Sequence, residues 1–191
     1  MHAESGAVEV GTSVLLRRPG EADAGEFLAM VATSRDLHDR WVHPPASRRE
    51  FSAWLARSRR RSADSFLVCR RSDGAIAGVY NLIEISRLTR TAYCSYYAHA
   101  GLAGSGLMSE GLQLLLRHAF GALGLEALGA GIQAGNEASI RLVQRAGFRR
   151  EAAPPRYLRH AGAWRSHRTW SITAERWRQG LGWWSLPRRT W

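Results

Sequence analysis

The sequence contains no lysine, two cysteines and no long apolar run. The missing lysine excludes a P-loop, because that phosphate-binding motif needs a lysine after its last glycine. Cys69 and Cys94 lie in apolar runs typical of strands, which favours buried, reduced thiols over a metal site. Since no run reaches the roughly 18 residues of a membrane span and the first residues lack a secretory signal pattern, we expect a cytoplasmic protein without a membrane partner.

Positive charge is abundant, and arginine alone carries it. The 191 residues have a formal net charge of +11, which favours approach to anions such as a phosphate ligand or RNA. A generally arginine-rich composition with solvated side chains explains the charge equally well. The sequence lacks the basic and aromatic signature of an RNA-recognition sheet, so direct nucleic-acid binding is not expected. The length predicts one domain with a substantial core.

Residues 101–124 carry the strongest local pattern, a glycine-rich turn followed by an amphipathic helix. Gly101, Gly104 and Gly106 form the turn, and Gly124 is well placed to end the helix. Unpaired N–H groups and the positive end of a helix dipole make such a turn a phosphate site. A dinucleotide fingerprint fails, because Ser109 stands where its third glycine is needed. The apolar face of the helix comprises Met108, Leu112, Leu115, Leu116, Ala119, Phe120 and Leu123.

The same turn resembles the pyrophosphate loop of the GNAT superfamily of acyl-CoA-dependent N-acetyltransferases, although Gly101 stands where glutamine or arginine is usual. A second motif begins at Asn136, with Ser139 three residues later and Gly-Phe at 147–148, and Y-L-R-H-A-G-A-W-R follows from Tyr157. Together they resemble the Rim-type branch, which acetylates protein N-termini, over residues 13–177. This resemblance implies an α/β fold, a single domain whose mixed, mostly antiparallel sheet has a splayed central strand pair and helices on both faces.

Periodicity and turn residues predict the elements in detail. Strands are predicted at residues 12–17, 65–70, 75–85, 91–98, 126–133, 148–150 and 165–173. Helices are predicted at 21–32, from a Ser47 cap to about residue 59, directly after the glycine-rich turn and after Asn136. Two prolines predict a loop at 35–45. The domain is expected at 12–177, between a flexible segment 1–11 and a Trp- and Arg-rich tail 178–191. The tail can pack on the core or on a second copy, so a homodimer is one expected assembly.

The resemblance implies acetyl-CoA as cosubstrate and no metal. An amide of the strand before the loop would stabilise the oxyanion of the tetrahedral intermediate. The acceptor site would include Trp41, Tyr96, Arg156 and Tyr157. Contacts to acetyl-CoA are expected from Tyr97, Ala98, Gly101, Ala103, Gly104, Ser105, Gly106, Leu107, Met108, Ser109, Asn136, Ser139 and Arg145.

The catalytic residues are predicted less directly. Ser139 is the candidate acid for the departing sulfur, because Val143 stands where many members of the superfamily carry a tyrosine; a serine in a first helical turn can also simply satisfy an amide. Glu84 and His99 are alternative candidates for the base, since Arg156 stands where the Rim-type branch often has an acidic residue. Arg156 can instead bind an acidic acceptor segment or a carboxylate.

Three functions follow in order of preference. The first is transfer of an acetyl group from acetyl-CoA to the N-terminal α-amine of a protein, such as a ribosomal protein, by direct attack in a ternary complex. An α-amine has a pKa of about 7.7–8.0, so a modest base suffices. The second is acetylation of a small-molecule amine, which Arg156 and the aromatic loop around Trp41 favour. The third is a CoA-binding or nucleic-acid-binding module without catalysis.

Overall fold

A single sheet organises the protein. The structure, a computed structural model, describes residues 6–160 and 163–180, with backbone alone for 158–160. Within these ranges the strand order is β1-β2-β3-β4-β5-β6-β9-β7, and β8 pairs with β9. β5 and β6 run parallel, whereas the other recorded pairs are antiparallel. The strands are β1 Ala7–Val10, β2 Val14–Arg17, β3 Asp64–Arg70, β4 Ile76–Ser86, β5 Thr91–Ala98, β6 Ala127–Gln133, β7 Arg149–Arg150, β8 Arg156–His160 and β9 Ala163–Thr173.

Helices cover both faces of this sheet, which confirms the predicted fold class. Ser47 caps α3 as predicted, since its Oγ accepts the Glu50 N–H at 3.3 Å and the Glu50 carboxylate accepts the Ser47 N–H at 3.1 Å. No helix in the described ranges is long and apolar enough to cross a membrane. The helices are α1 Ala24–Thr33, α2 Arg35–His38, α3 Arg48–Ser58, α4 Leu107–Arg117, α5 Glu137–Arg145 and α6 Ala174–Gly180. The 3₁₀ turn Glu21–Asp23 precedes α1, and the π-helical turn His118–Ala122 follows α4.

Two hydrophobic cores lie on opposite faces, because successive strand side chains point to opposite sides of a sheet. Phe27 of α1 and Phe51 of α3 pack with Val79 of β4 in one core. Leu115 of α4 packs with Tyr80, the next residue of β4, in the other. Cys69 and Cys94 are buried free thiols, one in each core, as expected.

Three elements differ from the sequence prediction. β1 lies inside the segment predicted to be flexible, because the Arg117 Nε of α4 bonds the Glu9 carboxylate at 2.5 Å and Arg117 Nη2 donates to the Val10 carbonyl at 2.8 Å. The predicted loop 35–45 begins with α2, which ends before the two prolines. β8 was missed; it forms a hairpin with β9. Most of the predicted tail 178–191, including three of its tryptophans, lies outside the described residues.

Candidate active site

A fork opens in the sheet between β5 and β6. The two strands pair from Thr91 with Ala127 to Cys94 with Ala130, and no further. Beyond that point β5 stays with β4 and β6 stays with β9, so the two strands diverge. The predicted splayed pair is therefore present, and each strand offers an unpaired edge to the fork.

The backbone amides at this edge can be assigned from hydrogen-bond alternation. The His99 N–H donates to the carbonyl of Ala77 in β4 at 2.9 Å. Alternate residues of a strand direct their backbone groups to opposite neighbours, so Tyr97 also faces β4, while Tyr96 and Ala98 face the fork. The Tyr97 side chain lies in the α1/α3 core, its hydroxyl has no hydrogen-bond partner, and burial raises its pKa. Fork-facing amides therefore belong to Tyr96 and Ala98, whereas the amide of Tyr97, a predicted acetyl-CoA contact, faces β4.

The glycine-rich turn follows β5 directly. A 3₁₀ turn, Ala100–Leu102, is followed by Gly104 and Gly106 at φ of +80° and +87°, in the left-handed region that glycine tolerates best. Gly106 is the N-cap of α4, and its carbonyl accepts the Glu110 N–H at 3.0 Å. The first helical N–H groups, at Leu107, Met108 and Ser109, have no partner within the helix. Together with the exposed residues Gly101, Ala103, Gly104, Ser105 and Gly106, they form an open turn whose chemistry suits a phosphate group.

Close packing holds the first turns of α4 against the sheet. Tyr80 of β4 donates its hydroxyl to the Met108 carbonyl at 2.7 Å. A Cβ at Gly78 would lie 2.5 Å from the Met108 sulfur and 2.6 Å from the Tyr97 carbonyl oxygen. A Cβ at Gly111 would lie 3.0 Å from Val68. Both glycines therefore allow an approach that any other residue would obstruct.

The first turn of α5 closes the α4 side of the fork. The Asn136 Oδ1 accepts the Ser139 N–H at 3.1 Å, which is the predicted N-cap. Tyr96 donates its hydroxyl to the Ser139 carbonyl at 3.3 Å, and burial raises the pKa of this phenol. Tyr96 thus packs on the α4/α5 face, and Val143 is buried there. Arg145 is exposed in the last turn of α5, about 9 Å along the helix axis from Ser139.

Two buried side chains from the α1–α2 corner form hydrogen bonds to the backbone at the open end of the fork. Ser34 Oγ accepts the Ala100 N–H at 2.9 Å, and His38 Nε2 donates to the Ala98 carbonyl at 2.8 Å. Their residues are 1% and 3% exposed, so both bonds are shielded from water. Burial lowers the pKa of His38, which favours the neutral ring with its proton on Nε2. We call this pair the Ser34–His38 clamp; a lone histidine in a predicted loop gave no signal of it.

The predicted acceptor residues do not form one group: Tyr96 packs on the α4/α5 face, whereas Trp41 and Arg156 come from the segments after α2 and in β8. The Trp41 carbonyl accepts a hydrogen bond from the Gln133 side chain at 3.3 Å, which links the segment after α2 to the free end of β6. Arg156 of β8 lies with its guanidinium carbon 4.7 Å from the centre of the Tyr93 ring and its Nη2 3.6 Å from Glu84 Oε1. Tyr157 is exposed.

Residues 13–149 match the family described as Acetyltransferase (GNAT) domain. The chain belongs to this family of N-acetyltransferases. It is 25% identical over 171 residues to Probable N-acetyltransferase YjcK of Bacillus subtilis, which covers 85% of this chain and 94% of that protein.

Solved structures share the fold of this GNAT acetyltransferase. RimJ of Mycobacterium smegmatis in complex with CoA-disulfide has a TM-score of 0.77 and 24% identity, covering 85% of this chain and 82% of that one. RimL, a ribosomal L7/L12 alpha-N-protein acetyltransferase in complex with coenzyme A, has a TM-score of 0.78 and 20% identity, covering 87% and 97%. The donors assembled here, loop amides and the fork edge of β5, suit an anionic, extended ligand of that kind.

The three candidate catalytic residues of this GNAT acetyltransferase occupy separate places. Ser139 lies at the fork, joined to Tyr96. The His99 ring turns toward α1, with Nε2 3.5 Å from Thr33 Oγ1 and Nδ1 buried without a partner. Glu84 lies beside Arg156, exposed, on an irregularity of β4 at φ +53°. No group of three His, Cys, Asp or Glu residues suited to a metal occurs in the described ranges.

Proposed function

We propose that this enzyme transfers the acetyl group of acetyl-CoA to the N-terminal α-amine of a protein, by direct attack in a ternary complex. The observation that carries the proposal is the fork, because it joins a phosphate-binding loop at one end to an opening between two strand edges. Acetyl-CoA enters from the α4 side, and the acceptor approaches from the α1/α3 side. Holding both together supplies up to about 7–11 kcal/mol of the barrier when the reacting atoms are aligned.

Acetyl-CoA is held mainly by backbone groups in this proposal. The N–H groups of Leu107, Met108 and Ser109, with the open glycine turn before them, bind the pyrophosphate. The amides of Tyr96 and Ala98 face the pantetheine arm and the thioester. An N–H directed at the thioester carbonyl stabilises the oxyanion that forms there, typically by several kcal/mol.

The chemistry is a direct acyl transfer. The neutral amine attacks the thioester carbon, a C–N bond forms, and collapse of the tetrahedral intermediate breaks the C–S bond. Glu84 takes the proton that the amine loses, and Ser139 donates a proton to the departing thiolate. The absence of a strongly held base is compatible with an α-amine, since its pKa of about 7.7–8.0 leaves an appreciable neutral fraction at pH 7.5.

A small-molecule amine is the second candidate acceptor. Two observations favour it: the Trp41 indole lies 3.9 Å from the position of a Cβ at Gly135, just after β6, and Arg156 offers a cation near the closed end of the fork. These features suit a compact amine that carries an anionic group. They suit an acidic peptide equally well, so acceptor panels must decide.

The test measures thiol release from acetyl-CoA with short peptides and with small amines, and mass spectrometry locates the acetyl group. Acetyl on a peptide α-amine, abolished when that amine is blocked, supports the proposal. Acetylation of small amines alone contradicts it in favour of the second candidate.

A matched pair of variants then tests the acid. Ser139→Ala should lower kcat at least tenfold without a change in CoA affinity, because the sulfur then departs unprotonated. Ser72→Ala, in the exposed β3–β4 turn, should leave kcat unchanged. Equal kcat in Ser139→Ala and the wild type would remove Ser139 from the mechanism.

A further inference from the structure

One cation near the fork has no role in the chemistry described above. Arg156 stacks on Tyr93, and the Tyr93 ring in turn lies over Gly129, where an added Cβ would come within 2.7 Å of it. Glu84 completes the group through its 3.6 Å contact with Arg156. We call Arg156, Tyr93, Glu84 and Gly129 the Arg156 cluster.

Strand register places the cluster at the closed end of the fork. Tyr93 pairs with Gly129, one step before the last β5–β6 pair at Cys94 and Ala130. Tyr93 has the same alternation as Tyr97, which packs against Phe27 of α1. The cluster therefore lies at the closed end of the fork, on the face opposite α4, where the acceptor approaches.

The guanidinium of Arg156 is held in place but not neutralised. Its ion pair with Glu84 is long, and the two side chains are 41% and 58% exposed, so the pair contributes at most about 1 kcal/mol. Stacking on Tyr93 orients the guanidinium plane, and an arginine has five N–H donors in a fork that matches a carboxylate. An incoming carboxylate can thus replace Glu84 as the partner of Arg156, because it can accept two short, parallel N–H bonds where Glu84 makes one long contact.

We propose that Arg156 binds a carboxylate of the acceptor, specifically an Asp or Glu side chain at the second or third residue of the protein N-terminus. This inference rests on the proposed function. Release of Glu84 from Arg156 leaves its carboxylate free to receive the acceptor's ammonium group, so the two charges of the cluster match the two charges of an acidic N-terminus. One residue of extended chain spans about 3.4 Å, so a carboxylate one or two residues from the amine reaches the cluster.

The same carboxylate chemistry occurs in free amino acids, and the assay separates the two sources. Hexapeptides Ser-X-X-Ala-Ala-Ala-amide, with both X residues as Asp, Ala or Lys, are compared with free Asp and Ser by kcat/KM. The wild type should prefer the Asp peptide over the Ala peptide by at least tenfold, and added salt should reduce this ratio. Equal rates on the Asp and Ala peptides would overturn the inference while leaving the proposed function intact.

Variants of Arg156 give the decisive readout. Arg156→Gln should bring the ratio of kcat/KM for the Asp peptide to kcat/KM for the Ala peptide down to about one, and Arg156→Glu should shift the preference to the Lys peptide. Arg178→Gln removes the same charge from α6 and should keep the wild-type ratio. Equal losses on all peptides in Arg156→Gln would mean a structural role and overturn the inference, provided that thermal unfolding matches the wild type. Acetylation of free Asp without any peptide would refute the protein acceptor and retain the carboxylate site.

Discussion

In the proposed site, the binding groups on the cofactor side of the fork are backbone amides, whereas on the acceptor side they are the side chains of Trp41, Glu84 and Arg156. The amides are held by glycines and by buried packing of α4 on the sheet. The acceptor side chains are partly or largely exposed and come from segments far apart in sequence. In this proposal, acetyl-CoA recognition follows from the fold itself, while acceptor choice depends on a few side chains that can change without disturbing the fold.

The largest effect should come from breaking the cofactor side through its packing. Gly78→Ala places a methyl group against the Met108 sulfur and the Tyr97 carbonyl oxygen; the Met108 side chain can rotate away, but the carbonyl is backbone, so β5 must shift at the fork. We expect the free energy of unfolding to fall by about 1–3 kcal/mol. CoA affinity, measured by calorimetry, should weaken at least tenfold.

A glycine with open space supplies the control for that variant. Gly121→Ala adds the same methyl group where nothing lies within 4 Å, and it should leave CoA affinity unchanged. CoA affinity that is unchanged in Gly78→Ala would show that the position of the β5 backbone beside Gly78 does not control CoA binding.

The Ser34–His38 clamp lies at the open end of the fork, between its cofactor side and its acceptor side. A second variant tests whether it matters for both. His38→Phe keeps a ring against Tyr97 but leaves the Ala98 carbonyl without its donor, which costs about 1–3 kcal/mol. We expect acetyl-CoA affinity and kcat each to fall roughly three- to tenfold, because the strand edge that faces the thioester loses a restraint.

His118→Phe is its matched control, since His118 is a buried histidine against Phe66, on the α4 face. That variant should keep CoA affinity and kcat. If both variants lower CoA affinity alike, the effect reflects stability and not the clamp.

Acidification should weaken the fold through the same two histidines. Burial lowers the pKa of both His38 and His118, so the folded protein keeps them neutral at a pH where the unfolded chain, with a pKa of about 6.5, is protonated. At that pH, unfolded molecules bind more protons than folded ones. The stability that the two neutral histidines contribute is therefore fully present above about pH 6.5 and is lost as pH falls. Each histidine changes the free energy of unfolding by at most about 1.4 kcal/mol per pH unit. Urea unfolding at pH 7.5 and 5.5 measures this, and a slope unchanged in His38→Phe would contradict it.

The same contrast explains what could be predicted from the sequence. β5 was predicted at its observed bounds, and the glycine turn, α4 and the Ser47 cap were found, because alternation, helical periodicity and capping are local signals. The clamp joins residues 60 or more positions apart, and β1 depends on an arginine more than 100 positions away. Such contacts arise only when the elements pack, so the backbone half of the site was predictable and the partners of Arg156 and His38 were not.

The smallest expected effect belongs to the acceptor wall. Trp41 meets β6 through its own carbonyl, which accepts from Gln133, so Trp41→Ala removes the indole and leaves that backbone link in place. We expect KM for a peptide acceptor to rise about threefold, because loss of aromatic contact weakens ground-state binding while leaving the chemical step alone. CoA affinity should stay within error of the wild type, and Trp41→Phe should recover most of the acceptor KM. A parallel loss of CoA affinity in Trp41→Ala would show that the two sides of the fork are coupled through the α1–α2 corner and are not independent.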